Sequence, residues 1–357
     1  MIPYRIMFIG ILLLFAVGQP ALAYRESLTT EQKAQLAAIQ TVAVEAVALT
    51  DKGSQDAGHF RDVVSRRLAE LGYQVAKNAD QPRDVVVKAK CEQRKTWEGT
   101  TAAGGDNDLP DAPSRLWKGP ACQLSYTLGG QRIKWQKEIR TDFADAVEAA
   151  QRANAGEPGA YALAQLAALL ERYDFPVMLA AEWGHDERLL KLLESSDTPQ
   201  PRKLLVITLL GEMLSDDALP RLKEALKDKD LSKQAAVALG NIGREGIPVL
   251  VEILKTSKQP DLQAAAAKGL GQVGGIHGDS SVVLPLLEML NAPGIDVDVQ
   301  TEIAWALGKI PDKRSIEPLY ALDRKLQAVR SDDPKVKKLK EAVFWAIKQC
   351  DTWDQYS

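Results

Sequence analysis

Three cysteines, three histidines and a few tryptophans in register are the residues of this chain best able to do chemistry. The histidines are His59, His185 and His277. No pair has metal-ligand spacing, and no HExxH helix exists. His277 sits in a Gly-rich stretch beside Asp279 and Ser280. Without a cysteine or a second histidine nearby, that stretch reads as a solvated loop rather than a metal or anion site. GxSxG, P-loop and dinucleotide fingerprints are all missing. Gly99 to Gly105 lacks the Lys-Ser/Thr ending of a phosphate loop and does not lead from a strand into a helix. The sequence therefore offers no catalytic constellation, no cofactor site and no metal site.

The meaning of Cys91, Cys122 and Cys350 depends on compartment. Arg5 opens a short positive region, and Ile6 to Val17 is a 12-residue run without a charge. Gln19-Pro20 breaks the run, and Ala21-Leu22-Ala23 has the A-x-A form of a cleavage site. This order predicts a signal peptide over 1–23, and no later segment is apolar for long enough to span a bilayer. The expected mature protein is exported, periplasmic or secreted, without stable membrane insertion. In an oxidising compartment, Cys91 and Cys122 are expected to pair across a long loop. Cys350 comes after Val343, Ala346 and Ile347 at helical spacing and reads as a small buried core residue.

These residues need elements to hold them. A length of 357 residues predicts two domains. A formal net charge of −3 without a basic stripe argues against nucleic acid as a partner. Residues 24–141 read as a small α+β domain: strand, helix, short strand, strand, long loop, hairpin. Val42, Val44, Ala46 and Ala48 alternate as a half-buried strand does. Phe60, Val63, Val64, Leu68 and Leu71 have helical spacing, and Gly72 stands at a C-terminal cap position. Gly129-Gly130 joins two alternating segments, a hairpin signal. Residues 96–120, rich in Gly and Pro, read as a long mobile loop. Residues 142–200 read as a helical bridge and entry cap, and 201–357 as an all-α helical solenoid.

The solenoid is read from a recurring Leu-Gly. It falls at Leu210-Gly211, Leu239-Gly240, Leu270-Gly271 and Leu307-Gly308, at intervals of 29, 31 and 37 residues. Trp183-Gly184 is a degenerate fifth instance. Around each Gly the same offsets are apolar or small, as in Ala235, Ala238, Leu239 and Ile242. Their spacing is one face of a helix. A second helix comes next each time, with Pro220, Pro248, Pro285 and Pro318 near its start, where a missing N–H costs little. Two short helices of this kind bury their apolar faces only by stacking on neighbours. The third unit has extra residues, and Gly274 to Ser281 is expected to project as a loop.

The segments AAVALGNIGREGIPVLVEIL and EIAWALGKIPDKRSIEPLYAL resemble the HEAT-like repeat family, in its short PBS-lyase-type form, over about residues 203–350. The resemblance implies an α-solenoid and a role in protein binding. Some relatives with this repeat act on bilin chromophores, so a chromophore-handling enzyme is the alternative it brings. A purely structural spacer is a third reading. The predicted export and the absence of a catalytic constellation favour a non-enzymatic scaffold whose partner is another protein.

Trp305 and Trp345 are the candidate partner contacts. Both stand three residues before the Gly-equivalent position, on a side about 150° from the core-facing offsets. Their shared register predicts a separation of roughly 10 Å, one helix spacing. Either they face a partner, or the tail with Trp353 and Tyr356 folds back over them. Lys335, Lys337, Lys338 and Lys340 form a basic cluster on the way into the last helix, diluted by Asp332, Asp333 and Glu341, and read as a solvated face or a contact for an acidic partner.

Overall fold

The computed structural model describes residues 28–77, 81–99, 115–329 and 331–356. The expected signal peptide lies outside these residues. Helix α1, Thr30–Ala37, starts at a capping box in which Thr29 and Gln32 satisfy each other's backbone N–H groups. Strand β1 is Thr41–Thr50, β2 Gly53–Gln55, and helix α2 Gly58–Glu70. Strands β3, Gln74–Val75, β4, Val85–Gly99, β5, Arg115–Leu128, and β6, Gln131–Arg140, complete the sheet. Its order is β2-β1-β4-β5-β6, with β3 beside β1. Strands β1 and β4 are parallel across the α2 connection, and β4-β5-β6 is an antiparallel meander. Gly129 and Gly130 both have positive φ, 55° and 81°, as the tight turn between β5 and β6 requires.

The sequence alternation is visible in the burial. Val85, Val87, Ala89 and Cys91 are buried, while Lys88 and Lys90 are exposed. One face of the sheet packs on α2 and on helix α4, Pro158–Arg172, through Phe60, Val64, Leu68, Leu166 and Leu170. Among the described residues no helix covers the other face, where Lys88 and Lys90 stand exposed.

Two expectations need correction. Strands β4 and β5 run to Gly99 and from Arg115, so both ends of the segment read as a 96–120 loop are strand. Residues 100–114 lie outside the described residues. A register shift between Glu92 and Lys95 breaks the alternation, which makes β4 look shorter in the sequence than it is. Cys91 and Cys122 are joined, but not at strand ends. They are direct cross-strand neighbours in the middle of β4 and β5, with Cα atoms 3.9 Å apart. The bond staples two strands rather than the mouth of a loop.

Helix α3, Ala146–Arg152, precedes α4, and the stack then begins. Its first helices are α5, Phe175–Trp183, α7, Gln200–Glu212, α9, Ser232–Ile242, α11, Pro260–His277, α13, Val297–Lys309, and α15, Pro334–Tyr356. The second helices are α6, Asp186–Glu194, α8, Leu219–Ala225, α10, Ile247–Thr256, α12, Val283–Leu290, and α14, Ile316–Ala328. Each prolyl position marked in the sequence falls in the first turn of its second helix. A short 3-10 turn precedes α8, α10, α12 and α14. The pair α5–α6 shows that the stack begins before residue 201. Among the described residues no helix is long and apolar enough to cross a membrane.

The two cores meet on α5. Phe175, Leu179 and Trp183 belong to the core of the α+β domain, and Val177, Ala180 and Ala181 to that of the solenoid. A helix apolar all round is buried on all sides, and this one is shared rather than strung as a linker. Asp174 ties the same place electrostatically, pairing with Arg67 of α2 at 3.4 Å and Arg202 of α7 at 2.7 Å.

Candidate partner-binding face

The recurring glycines set the geometry of the first-helix layer. A Cβ on Gly211 would lie 2.8 Å from the Cα of Ala238, and one on Gly271 equally close to the Cα of Ala306. At Gly240 it would collide with the backbone of Gly269. The glycines therefore let successive first helices touch backbone to backbone, rather than making the turn at the helix end. The turns have ties of their own. Ser215 donates to Asp186 at 2.8 Å, Arg244 pairs with Asp279 at 2.8 Å, and Arg314 donates to the Ser280 carbonyl at 3.1 Å.

With the helices this close, equivalent residues form rows across the layer. One row is Thr208, Val237, Lys268, Trp305 and Trp345. The next, one turn on, is Glu212, Asn241, Gln272, Lys309 and Gln349. Lys309 Nζ donates to Gln272 Oε1 at 3.4 Å between adjacent helices. Trp305 and Trp345 sit on successive first helices as read, but closer than one helix spacing. Their ring centroids are 5.1 Å apart at a tilt of 51°. The cause is Gly308, which leaves room for the Trp345 ring to lean on to α13. Each indole is half-buried and packs against the solenoid core. They form a packed aromatic pair with one side outward, rather than two free side chains.

The backbone of the tail does not double back over them, because α15 continues as one helix through Tyr356. Lys348 stands on α15 where the four preceding first helices carry Gly, so a further helix could not approach as closely there. Phe344, 69% exposed, is on the same end face.

The remaining sequence candidates are accounted for by packing. Helix α11 runs through His277, so Gly274 to Ser281 is mostly helix and turn and does not project. His277 Nε2 meets the Asn241 carbonyl at 2.7 Å. Asp279 is held below the usual carboxylate range by hydrogen bonds from Ser281, with Arg244 adding to the effect. Cys350 is free and buried, and burial pushes its thiol pKa up. In the basic cluster, Lys335 pairs with Asp298 at 2.6 Å, Lys337 with Asp332 at 3.2 Å, and Lys340 donates to the Val329 carbonyl at 3.0 Å. On the open sheet face, a groove of about 400 Å³ is lined by Glu45, Lys88, Lys90, Gln123 and Arg132. Lys88 pairs there with Glu45, and Lys90 with Glu92. Among the described residues no three His, Cys, Asp or Glu side chains converge as metal ligands.

The sequence marks neither of two lysines as a partner contact. Lys268 shares the row of the tryptophans, and Lys309 lies one turn from Trp305. Desolvation by neighbouring groups lowers the Lys309 pKa below the ordinary lysine value, the charge of Lys268 adds to this, and Glu302 opposes it. The only signal in the sequence is their register, which gains meaning once the helix spacing is known.

The layer of paired helices and the glycine contacts define an α-solenoid. Residues 187–271 and 247–332 match the family described as HEAT repeats, so this part of the chain is a HEAT-like repeat array. No curated protein matches the chain. Among solved structures, an engineered protein is similar at 23% identity, covering 50% of this chain and 83% of that one, with a TM-score of 0.34. A second engineered protein is similar at 24% identity, covering 55% and 56%, also at 0.34. Human deoxyhypusine hydroxylase in complex with glycerol is similar at 16% identity, covering 56% and 87%, at 0.27. The protein is a helical repeat scaffold carrying an N-terminal α+β domain.

Proposed function

We propose that the protein is an exported scaffold that holds another protein on its first-helix face and has no catalytic activity of its own. The observation that carries this reading is the Trp305–Trp345 pair. Two indoles are fixed by packing on the outward side of the layer, and helix α15 continues past them. Large aromatics held rigidly at a surface lose little entropy on binding and are the commonest anchors of interfaces. The α+β domain, docked through α5, presents its open sheet face as a second contact. Export is supported by the apolar run Ile6 to Val17 with Ala21-Leu22-Ala23 after it, and a disulfide suits an oxidising compartment.

The test is site-specific photocrosslinking in envelope extract, with the crosslinker at Gln272 on the first-helix face or at Leu284 on a second helix. Leu284 is the fair comparison, because it is an apolar residue 53% exposed. A discrete adduct from Gln272 that is missing from Leu284 supports the reading. Adducts from Leu284 alone would move the contact to the second helices, and none from either would favour a structural spacer.

A further inference from the structure

We propose that the first-helix face takes an acidic peptide segment of its partner, with carboxylates meeting Lys268 and Lys309 and a neighbouring apolar side chain meeting the Trp305–Trp345 pair. This rests on the first-helix face being the partner-binding face and adds the chemistry of what it holds.

Several charged groups on the stack are paired between neighbouring units. Lys233 pairs with Asp261, Lys255 with Glu288, Arg244 with Asp279 and Lys335 with Asp298. These pairs tie neighbouring repeat units together around the stack. Lys268 and Lys309, like several other lysines of the stack, have no described carboxylate within 4.0 Å, and they stand apart by lying in and beside the tryptophan row. Lys309 has only the amide oxygen of Gln272, a neutral acceptor. Desolvation disfavours the charge of Lys309, Lys268 lies near enough to disfavour it further, and Glu302 opposes both. An unpaired, crowded pair of ammonium groups is relieved by an anion that reaches both.

The positions then select the kind of anion. Lys268 and Trp305 hold the same register on touching helices, and Trp345 holds it on the next. A segment crossing the helices along this row meets a cation, then two indoles. Lys309 is four residues from Trp305 on one helix, about 5–6 Å away between Cβ atoms. A small inorganic anion would reach the lysines and leave the indoles unused. A segment with carboxylates beside an apolar side chain uses both. Binding a carboxylate here also favours the charged form of Lys309, so peptide affinity and Lys309 protonation are linked.

The full-length protein is titrated with three synthetic peptides of equal length and apolar content, bearing Glu, Gln or Lys at the polar positions. Tryptophan emission and calorimetry report binding, and the Lys268→Gln/Lys309→Gln variant is titrated alongside. Both lysines are exposed, so the variant keeps the fold, and circular dichroism checks that it does. The Glu peptide is expected to bind roughly tenfold or more tightly than the Gln peptide at low salt, with the margin narrowing as salt rises. The margin disappears in the double variant. Equal binding of the Glu and Gln peptides, no binding of the Glu peptide, or an undiminished margin in the double variant overturns the proposal. The Gln272 crosslink then separates the cases: if it persists, only the charge preference has failed, and if it is absent the face itself is wrong.

Discussion

Tyr73 and His185 meet across the boundary between the two domains, phenol oxygen to imidazole Nδ1, at 2.7 Å. The imidazole Nε2 faces the carbonyls of Leu36 and Ala37, each at 3.1 Å. Carbonyls only accept, so Nε2 carries the proton and Nδ1 accepts from the Tyr73 hydroxyl. Burial lowers the pKa of His185, the nearby Arg188 lowers it further, and the two carbonyls and Asp186 oppose the shift.

That arrangement gives stability a definite pH dependence. The folded pKa is below the ordinary value of 6.5, so between the two values the unfolded chain binds more protons than the folded one. Stability is therefore complete above 6.5 and falls as pH drops through the unfolded value towards the folded one. Urea unfolding at a series of pH values should show this loss, and His185→Gln should remove its share. An identical acid-side slope in the variant would show that His185 does not titrate as described.

The glycine contacts predict opposite outcomes at two helical positions. Gly240→Ala should destabilise the solenoid by about 2–4 kcal/mol, because the methyl meets the Gly269 backbone and neither helix can yield alone. Gly275→Ala should be neutral or stabilising by up to about 1 kcal/mol, since its Cβ finds ordinary contact with Lys309, the nearest atom being 3.5 Å away. Thermal or urea unfolding of the two variants checks the contrast. Equal effects would mean that the layer is looser than described.

The solenoid is legible in the sequence because its signal is local. Offsets such as Ala235, Ala238, Leu239 and Ile242 fix a helix face within one helix, and all four are buried or nearly so. Helix α1 is absent from the sequence reading although the Thr29-to-Gln32 capping box announces it. The role of His185 has no local signal at all. Its partners Leu36, Ala37 and Tyr73 come from more than a hundred residues earlier and gather only in the folded chain. The closeness of Trp305 and Trp345 escapes for a related reason. It depends on Gly308 of one helix accepting a ring from another, and a register shared along the sequence does not contain that distance.

The strand staple predicts resistance to reduction. Cys91 and Cys122 are both 0% exposed, so a reductant should reach them only through opening of the sheet. Once reduced, the chain should lose about 3–4 kcal/mol, the scale set by closing a 31-residue span. Thiol labelling in native buffer should modify neither residue, and labelling after unfolding without reductant should modify only Cys350. Labelling of Cys91 or Cys122 under either condition would show that the bond is absent in the purified protein.

If the Trp305–Trp345 pair anchors a partner, replacing both indoles by leucine should weaken binding without unfolding the chain. Leucine keeps an apolar side chain against Gly308 and the solenoid core, so helicity should survive, with a stability loss of about 1–3 kcal/mol. The affinity of the double variant for the partner identified by crosslinking at Gln272 is then measured against the native protein. Anchoring by the pair predicts a loss of about 2 kcal/mol or more of binding, roughly thirtyfold, in a protein that is still folded. Undiminished affinity in the folded variant would contradict it and leave the two tryptophans as packing residues alone.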